Sequence, residues 1–399
     1  MNFAYLDSLK PRQQALLDTL CAWSEINSGS TNVAGVAQMA RVIGDYAESR
    51  LQLPYTLHEV APLRVIDDEG GWQDQPVGPV LRMHKQTGAP RKVVLVGHLD
   101  TVFAADDSFQ TITQLEADKL GGPGVADMKG GILVMLSALE LFAASPHAAA
   151  LDWELVLNPD EEIGSQSSMP LVLDAARGAY AGMVYEPAMP DGSLAGARKG
   201  SGNFTLIVHG RAAHAGREFL RGRNAIVKLA EVIAQLTSIN GGEDITLNLG
   251  RIQGGGALNI VPDLAIGRFN VRVADAGAQA RVETFLADVL KSLDNESDYR
   301  FELHGGFGRP AKPVTDAQQK LFDVVARCGS QLGLDLTFHA TGGCCDGNNL
   351  LAAGVPNVDT LGVQGGAIHS HAEYMLPSSI LPRAQLSTLI LESLAQEAK

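Results

Sequence analysis

The run VVLVGHLDTVF (Val93 to Phe103) places His98 and Asp100 one residue apart, directly after four apolar β-formers, Val93 to Val96. An imidazole at the C-terminal end of a buried strand, with a carboxylate close enough to fix its tautomer, suits a metal ligand and its supporting group. In GVADMKGG (Gly124 to Gly131), Asp127 comes immediately before a helical pattern. DEEIGS (Asp160 to Ser165) supplies the adjacent Glu161 and Glu162 after another apolar strand. Glu186 follows a third strand in YEP, and His369 stands in IHSHAEY near the C-terminal end. Two imidazoles and several carboxylates, each at the end of a different strand, suit a divalent metal site that activates water.

Taken singly, each of these residues has a plainer reading. A histidine at a strand end is usually a satisfied polar group. An aspartate before a helix is most often a cap, and an acidic pair is usually a solvated turn. Glu161 and Glu162 weaken that reading, because neighbouring carboxylates at a strand exit repel each other unless a cation or proton relieves them. Consecutive residues also point in different directions, so one can ligate while the other reaches a water. GVADMKGG is not a nucleotide loop, since Lys129 precedes Gly130 and Gly131 and no G-K-[ST] follows. The metal reading rests on all these groups converging on one edge of a sheet.

Such convergence needs strands alternating with helices. Arg12 to Glu25 and Val33 to Leu51 read as helices, and Tyr55 to Met83 as strand-like with turns at Asp67–Gly71 and Gln75–Val77. Strands are expected at Val93 to Val96, Trp153 to Leu157 and Gly182 to Tyr185, with helices at Gly130 to Ala144 and Ser168 to Ala176. This alternation predicts an α/β layer with a mostly parallel sheet. After Arg198 the character changes to β-α-β-β-α-β, the split βαβ or ferredoxin-like order. Its strands are expected at Asn203 to Val208, Thr246 to Arg251, Leu264 to Val273 and Tyr299 to Leu303. Its helices are expected at Asn224 to Thr237 and Ala280 to Leu293, with GGFGRPAKP (Gly305 to Pro313) as the exit linker. The α/β pattern then resumes with helix Asp316 to Leu332, strand Val358 to Leu361 and a last helix from Pro382. The expected organisation is therefore a discontinuous catalytic domain, 1–196 with 310–399, carrying an inserted α+β domain, 197–309.

Composition narrows the function classes. A chain of 399 residues is long for one small domain, and 45% hydrophobic with 19% charged residues is ordinary globular usage. The formal charge of −14 argues against nucleic acid or an anionic membrane as a partner. No apolar stretch reaches the roughly 20 residues of a membrane span, and the start lacks the basic and apolar regions of a signal peptide. A cytoplasmic protein with reduced thiols is expected. Its four cysteines include the neighbours Cys344 and Cys345, which cannot easily bridge each other. Both lie in the Gly-rich loop TGGCCDGNN and read first as inert small residues, the alternative being that one of them lines a pocket near the site.

The ordered set GHLDTV, GVADMKGG, NPDEEIGS, EP and HSHAEY resembles the M20 metallopeptidase family, within it the glutamate carboxypeptidase (carboxypeptidase G2-like) branch. The resemblance spans nearly the whole chain. It implies a zinc-peptidase-like catalytic domain with an inserted lid and dimerisation domain. It implies that His98 and Glu186 hold one Zn²⁺, that Glu162 and His369 hold a second, and that Asp127 bridges them. Two Zn²⁺ per chain are implied, with Co²⁺ or Mn²⁺ as substitutes. Glu161 would be the general base and Asp100 the support of His98; His369, not His371, takes the ligand position. In the insert, His214 of GRAAHAG matches a histidine that reaches the partner subunit's site. Asn259 and Arg272 match substrate-binding residues, with Arg198 and Lys199 as weaker candidates at the hinge. Closure of the insert would bring Arg272 and His214 to the metals.

The implied activity is hydrolysis of an amide bond next to a free carboxylate, in a peptide or N-acyl amino acid, by a homodimer. An N-acyl-amino-acid deacylase, a succinyl-diaminopimelate desuccinylase and a tripeptide aminopeptidase share the metal motifs and remain alternatives. A catalytically silent binding protein is a further alternative, opposed by the intact ligand set and Glu161.

Overall fold

The computed structural model describes residues 4–293 and 298–396; the ends of the expected outer domain and a short part of the expected insert lie outside the described residues. Helices α1 (Gln13–Ser24) and α2 (Val33–Leu51) open the fold. The Asn32 side chain caps α2 by accepting from Gly35 N, and α2 stops at Gln52 in the left-handed conformation. Strand β1 (Tyr55–His58), the hairpin of β2 (Leu63–Ile66) and β3 (Trp72–Gln75), and β4 (Val80–Lys85) follow. Next come β5 (Lys92–His98), α3 (Lys129–Ala143), β6 (Asp152–Asn158), α4 (Met169–Ala176), β7 (Ala181–Val184) and β8 (Leu194–Arg198).

The inserted unit consists of β9 (Gly200–His209), α5 (Ala225–Leu236), β10 (Ile245–Gly254), β11 (Leu264–Val273), α6 (Ala276–Leu293) and β12 (Arg300–Arg309). Its four strands form an antiparallel sheet in the order β10-β11-β9-β12. This is the expected ferredoxin-like arrangement, and it has a hydrophobic core of its own between the sheet and α5 and α6. The expected exit linker is corrected: Gly305 to Arg309 continue β12, with Gly305 opposite Phe204. Glycines read as a linker because they lack side chains, but ladder pairing uses the backbone alone. Here the pairing requires a glycine, since a Cβ at Gly305 would lie 2.1 Å from the Asn203 carbonyl oxygen. The β2–β3 hairpin reaches across to this unit, where Arg268 donates to the carbonyls of Ile66 and Asp67 at 3.0 and 2.8 Å.

The chain returns through α7 (Asp316–Gln331), β13 (Phe338–Thr341), α8 (Asp346–Ala352), β14 (Asn357–Val358) and α9 (Ile380–Gln396). The main sheet has the order β1-β4-β6-β5-β7-β14. Pairings β5/β6, β5/β7 and β7/β14 are parallel, and the β1/β4/β6 side is antiparallel. In β5, Val93 and Leu95 face the core formed with α1, α2, α3, α7 and α9, while Val94 and Val96 face the layer of α4 and α8. Burial on both faces explains why this strand reads as an unbroken apolar run. Each such side chain contributes about 1.5–3 kcal/mol on burial. The protein is thus an α/β body with helices on both faces of a mostly parallel sheet, interrupted by the inserted α+β unit.

Candidate metal centre and substrate cavity

The body delivers acidic and imidazole groups to the C-terminal edge of adjacent parallel strands. His98 ends β5, the Glu161–Ile163 turn follows β6, and Glu186 lies just beyond β7. Asp127 stands two residues before the start of α3, next to its N-cap Met128. That helix start can press against the end of β7 because position 131 is glycine: a Cβ there would lie 2.0 Å from the Tyr185 carbonyl oxygen. His369 reaches in from a loop of the C-terminal segment. His98 Nε2 lies 3.0 Å from Asp127 Oδ1. His369 Nε2 lies 3.3 Å from Asp127 Oδ2 and 3.1 Å from Glu162 Oε2. His371 points elsewhere, to Asp107 Oδ1 at 2.9 Å.

Two further carboxylates hold this arrangement. Asp100, fully buried, accepts from Ser30 Oγ at 2.7 Å and from the backbone N–H groups of Glu161 and Glu162 at 3.1 and 3.2 Å. Its backbone carbonyl takes the hydrogen bond to His98 Nδ1 at 2.9 Å, with Oδ1 3.5 Å from the same nitrogen. Asp100 therefore orients the acidic turn as well as the imidazole. Glu373 accepts from Ala126 N, Asp127 N and Gly124 N at 2.9, 3.1 and 3.2 Å, fixing the turn that presents Asp127. Glu373 sits within the HSHAEY run, but its role depends on a pairing across the fold that the sequence does not display.

The donor set fits divalent cations. His98, Glu161 and Glu186 bring ligand atoms within 4.8 Å of one another, and so do His98, Asp127 and Glu162. Burial, with Asp127 nearby, pushes Glu162 up to about 8. Burial and the neighbouring Asp127 and Glu161 raise Glu186 well above the carboxylate range. Hydrogen bonds to Asp127 and Glu162 push His369 up to about 11. Clustered anions that must otherwise borrow protons are the electrostatic signature of a cation-binding site.

Asp127, Glu161, Glu162, Glu186 and His369 line a cavity of about 470 Å³. Arg198, Arg272 and Cys344 line the same cavity. Arg272 lies on β11 and already reaches the cavity wall; its Nε donates to Asn270 Oδ1 and its Nη1 to Cys344 Sγ, both at 2.9 Å. Of the two readings of this cysteine pair, the pocket-lining one applies to Cys344, whose thiol touches the cavity arginine, whereas Cys345 is buried. Missing that placement is natural, because it depends on β13, a strand unforeseen from sequence, which pairs with β8 and carries the loop into the cavity. Arg198 is held by Asp359 through two hydrogen bonds of 2.8 Å. His214 and Asn259 come together in the insert: His214 pairs with Ile260, and Ala215 N donates to the Asn259 carbonyl at 2.9 Å. Both are exposed, and neither is among the residues lining the cavity of their own chain.

Comparison with known proteins agrees with the geometry. Carboxypeptidase G2 of Pseudomonas sp. (strain RS-16) is 27% identical over 391 residues, covering 96% of this chain and 90% of that protein. Succinyl-diaminopimelate desuccinylase of Bordetella bronchiseptica is 29% identical over 327 residues, covering 77% and 84%. The fold matches an M20 family metallo-carboxypeptidase, Sso-CP2 of Sulfolobus solfataricus, with a TM-score of 0.76 at 16% identity over 96% of this chain and 99% of that one. Residues 94–393 match the model of Peptidase family M20/M25/M40, and the chain belongs to that family of metal-dependent hydrolases.

Proposed function

We propose that the chain is a dinuclear zinc hydrolase that cleaves an amide bond next to a free carboxylate, with a glutamate-type carboxypeptidase as the favoured activity. The observation that carries this reading is one cavity lined both by a cluster of metal-type donors and by the Arg272 guanidinium. In this reading His98 and Glu186 hold one cation, Glu162 and His369 hold the second, and Asp127 spans both. Bound there, divalent cations supply Lewis acidity toward a carbonyl oxygen and lower the pKa of water. Arg272 takes the substrate carboxylate in paired hydrogen bonds and so sets the distance of the scissile carbonyl from the acidic turn. Glu161 accepts the proton of the attacking water and passes it to the leaving amine. The similarity to a desuccinylase keeps N-acyl amino acids as alternative substrates.

The same reading makes 197–309 a lid and dimerisation unit. Strand β10 is an edge of its sheet and carries the exposed Ile252, and Leu258 and Ile260 are exposed beside Asn259 and His214. An open edge with exposed apolar side chains suits pairing with a second copy, and His214 then assists at the partner's cavity by stabilising the oxyanion.

A zinc-supplied hydrolysis screen of N-acyl amino acids and dipeptides with varied C-terminal residues tests the assignment. Glutamate-terminated substrates should exceed neutral ones by at least about tenfold in kcat/KM, and blocking the α-carboxylate as an amide should cost roughly 10²-fold or more. Equal turnover of the amides would remove Arg272 as the anchor and with it the carboxypeptidase reading.

A further inference from the structure

Arg309 closes β12, at the point where the chain leaves the inserted sheet. Its side chain does not serve that sheet. It is buried, 5% exposed, and is turned into the body. Nη2 lies 2.7 Å from Glu161 Oε1 and also donates to the Glu161 carbonyl oxygen at 2.8 Å. The same nitrogen donates to Ser165 Oγ at 3.1 Å, and Nη1 donates to Asp346 Oδ1 at 3.1 Å. Asp346 begins α8 and is itself held by Ser165 Oγ at 2.6 Å and by Asn158 Nδ2. One guanidinium thus joins the acidic turn, the start of α8 and the strand that leads out of the insert.

Arg309 therefore meets Glu161 twice, at its carboxylate and at its backbone carbonyl. Contact with both the carboxylate and the carbonyl of one residue restricts its side chain to a narrow set of rotamers. We propose that Arg309 is a positioning residue for Glu161, holding Oε1 so that Oε2 faces the water whose proton it takes. Because Arg309 belongs to the exit strand, the placement of the base then depends on how the insert is seated on the body. This inference rests on the reading of Glu161 as the general base.

A double-mutant cycle tests it. The kcat, KM, bound metal and thermal midpoint are measured for the wild type, Glu161→Gln, Arg309→Met and the double variant, with Arg309→Lys as the conservative replacement. Arg309→Met should lower kcat about 10–100-fold, keep its metal and change KM by less than about threefold. In the Glu161→Gln background the same change should cost less than about threefold further, since the group it positions is gone. Arg309→Lys should recover about tenfold over Arg309→Met. If Arg309→Met does not fold, Arg309→Met with Asp346→Asn replaces it in the cycle, removing both buried charges together. Equal losses in the two backgrounds, or a loss confined to KM or metal content, would overturn the positioning role while leaving the base assignment intact. Full kcat in Glu161→Gln alone would overturn the base assignment and this inference with it.

Discussion

Glu161 and Glu162 are neighbours with different surroundings, and that difference predicts different consequences. Glu162 Oε2 lies 3.1 Å from His369, whereas Glu161 Oε1 lies 2.7 Å from Arg309. Glu161→Gln should keep its metal and lose roughly 10²–10⁴-fold in kcat, the usual scale for a general base. Glu162→Gln should instead weaken metal binding, measured as bound zinc after dialysis. The reverse pattern would mean that the pair has been assigned the wrong way round. Zinc-saturated wild-type protein should carry about two ions per chain; at most one ion, with His98 and His369 intact, would sink the dinuclear reading. These residues were legible because each lies in a short run whose chemistry is local: a strand, then a His, Asp or Glu. Arg309, Asp346 and Glu373 were not legible, because each acts on a partner more than a hundred residues away: Glu161, Ser165 and Asp127 respectively. Nothing local distinguishes them from other charged residues.

At the scale of elements, the crossings between body and insert are fastened by buried charge. Arg198, ending β8, and Lys312, just past β12, exchange backbone hydrogen bonds of 2.9 Å and both pair with the buried Asp359. Burial would raise the pKa of Asp359, but Arg198 and Lys312 outweigh it and hold it at about 2. An unfolded aspartate titrates near 3.9, so the folded value is depressed. The stabilisation is present above about pH 4 and is lost as pH falls toward 2, amounting to about 2 kcal/mol. Urea unfolding between these pH values should show Asp359→Asn starting from lower stability with a shallower pH slope. An unchanged slope would mean that Asp359 does not carry this charge. Gly131→Ala makes a contrasting test. Helix propensity favours alanine by about 1 kcal/mol, yet its Cβ would lie 2.0 Å from a backbone oxygen that cannot step aside. Overpacking should win, with a net loss of about 1–3 kcal/mol in unfolding free energy, read as a lower urea midpoint. Most elements were readable from periodicity, since buried strands and amphipathic helices announce themselves. The errors lay where the pattern is set by tertiary pairing. Gly305 to Arg309 form strand rather than linker, and Phe338–Thr341 was missed because its burial alternates too weakly to mark it.

For the whole molecule, the decisive question is whether one chain suffices. His214 and Asn259 are exposed and lie outside the cavity of their own chain, although by family resemblance both belong at the site. A homodimer resolves this if each insert presents its His214 to the partner's metals. Complementation tests it directly. Glu161→Gln and His214→Ala chains, each inactive as a homodimer, are mixed and allowed to exchange subunits. In a mixed dimer, one cavity has wild-type Glu161 from its own chain and wild-type His214 from the other, so it should work. The second cavity lacks both. Equal amounts exchanging statistically give about half mixed dimers, each with one working cavity, so about a quarter of the wild-type activity per site should return. The two parent homodimers set the background, and mass measurement under native conditions establishes that exchange has occurred. With exchange demonstrated, no recovery would mean that His214 acts within its own chain or not at all. The exposed apolar residues beside it would then need another explanation than a twin subunit.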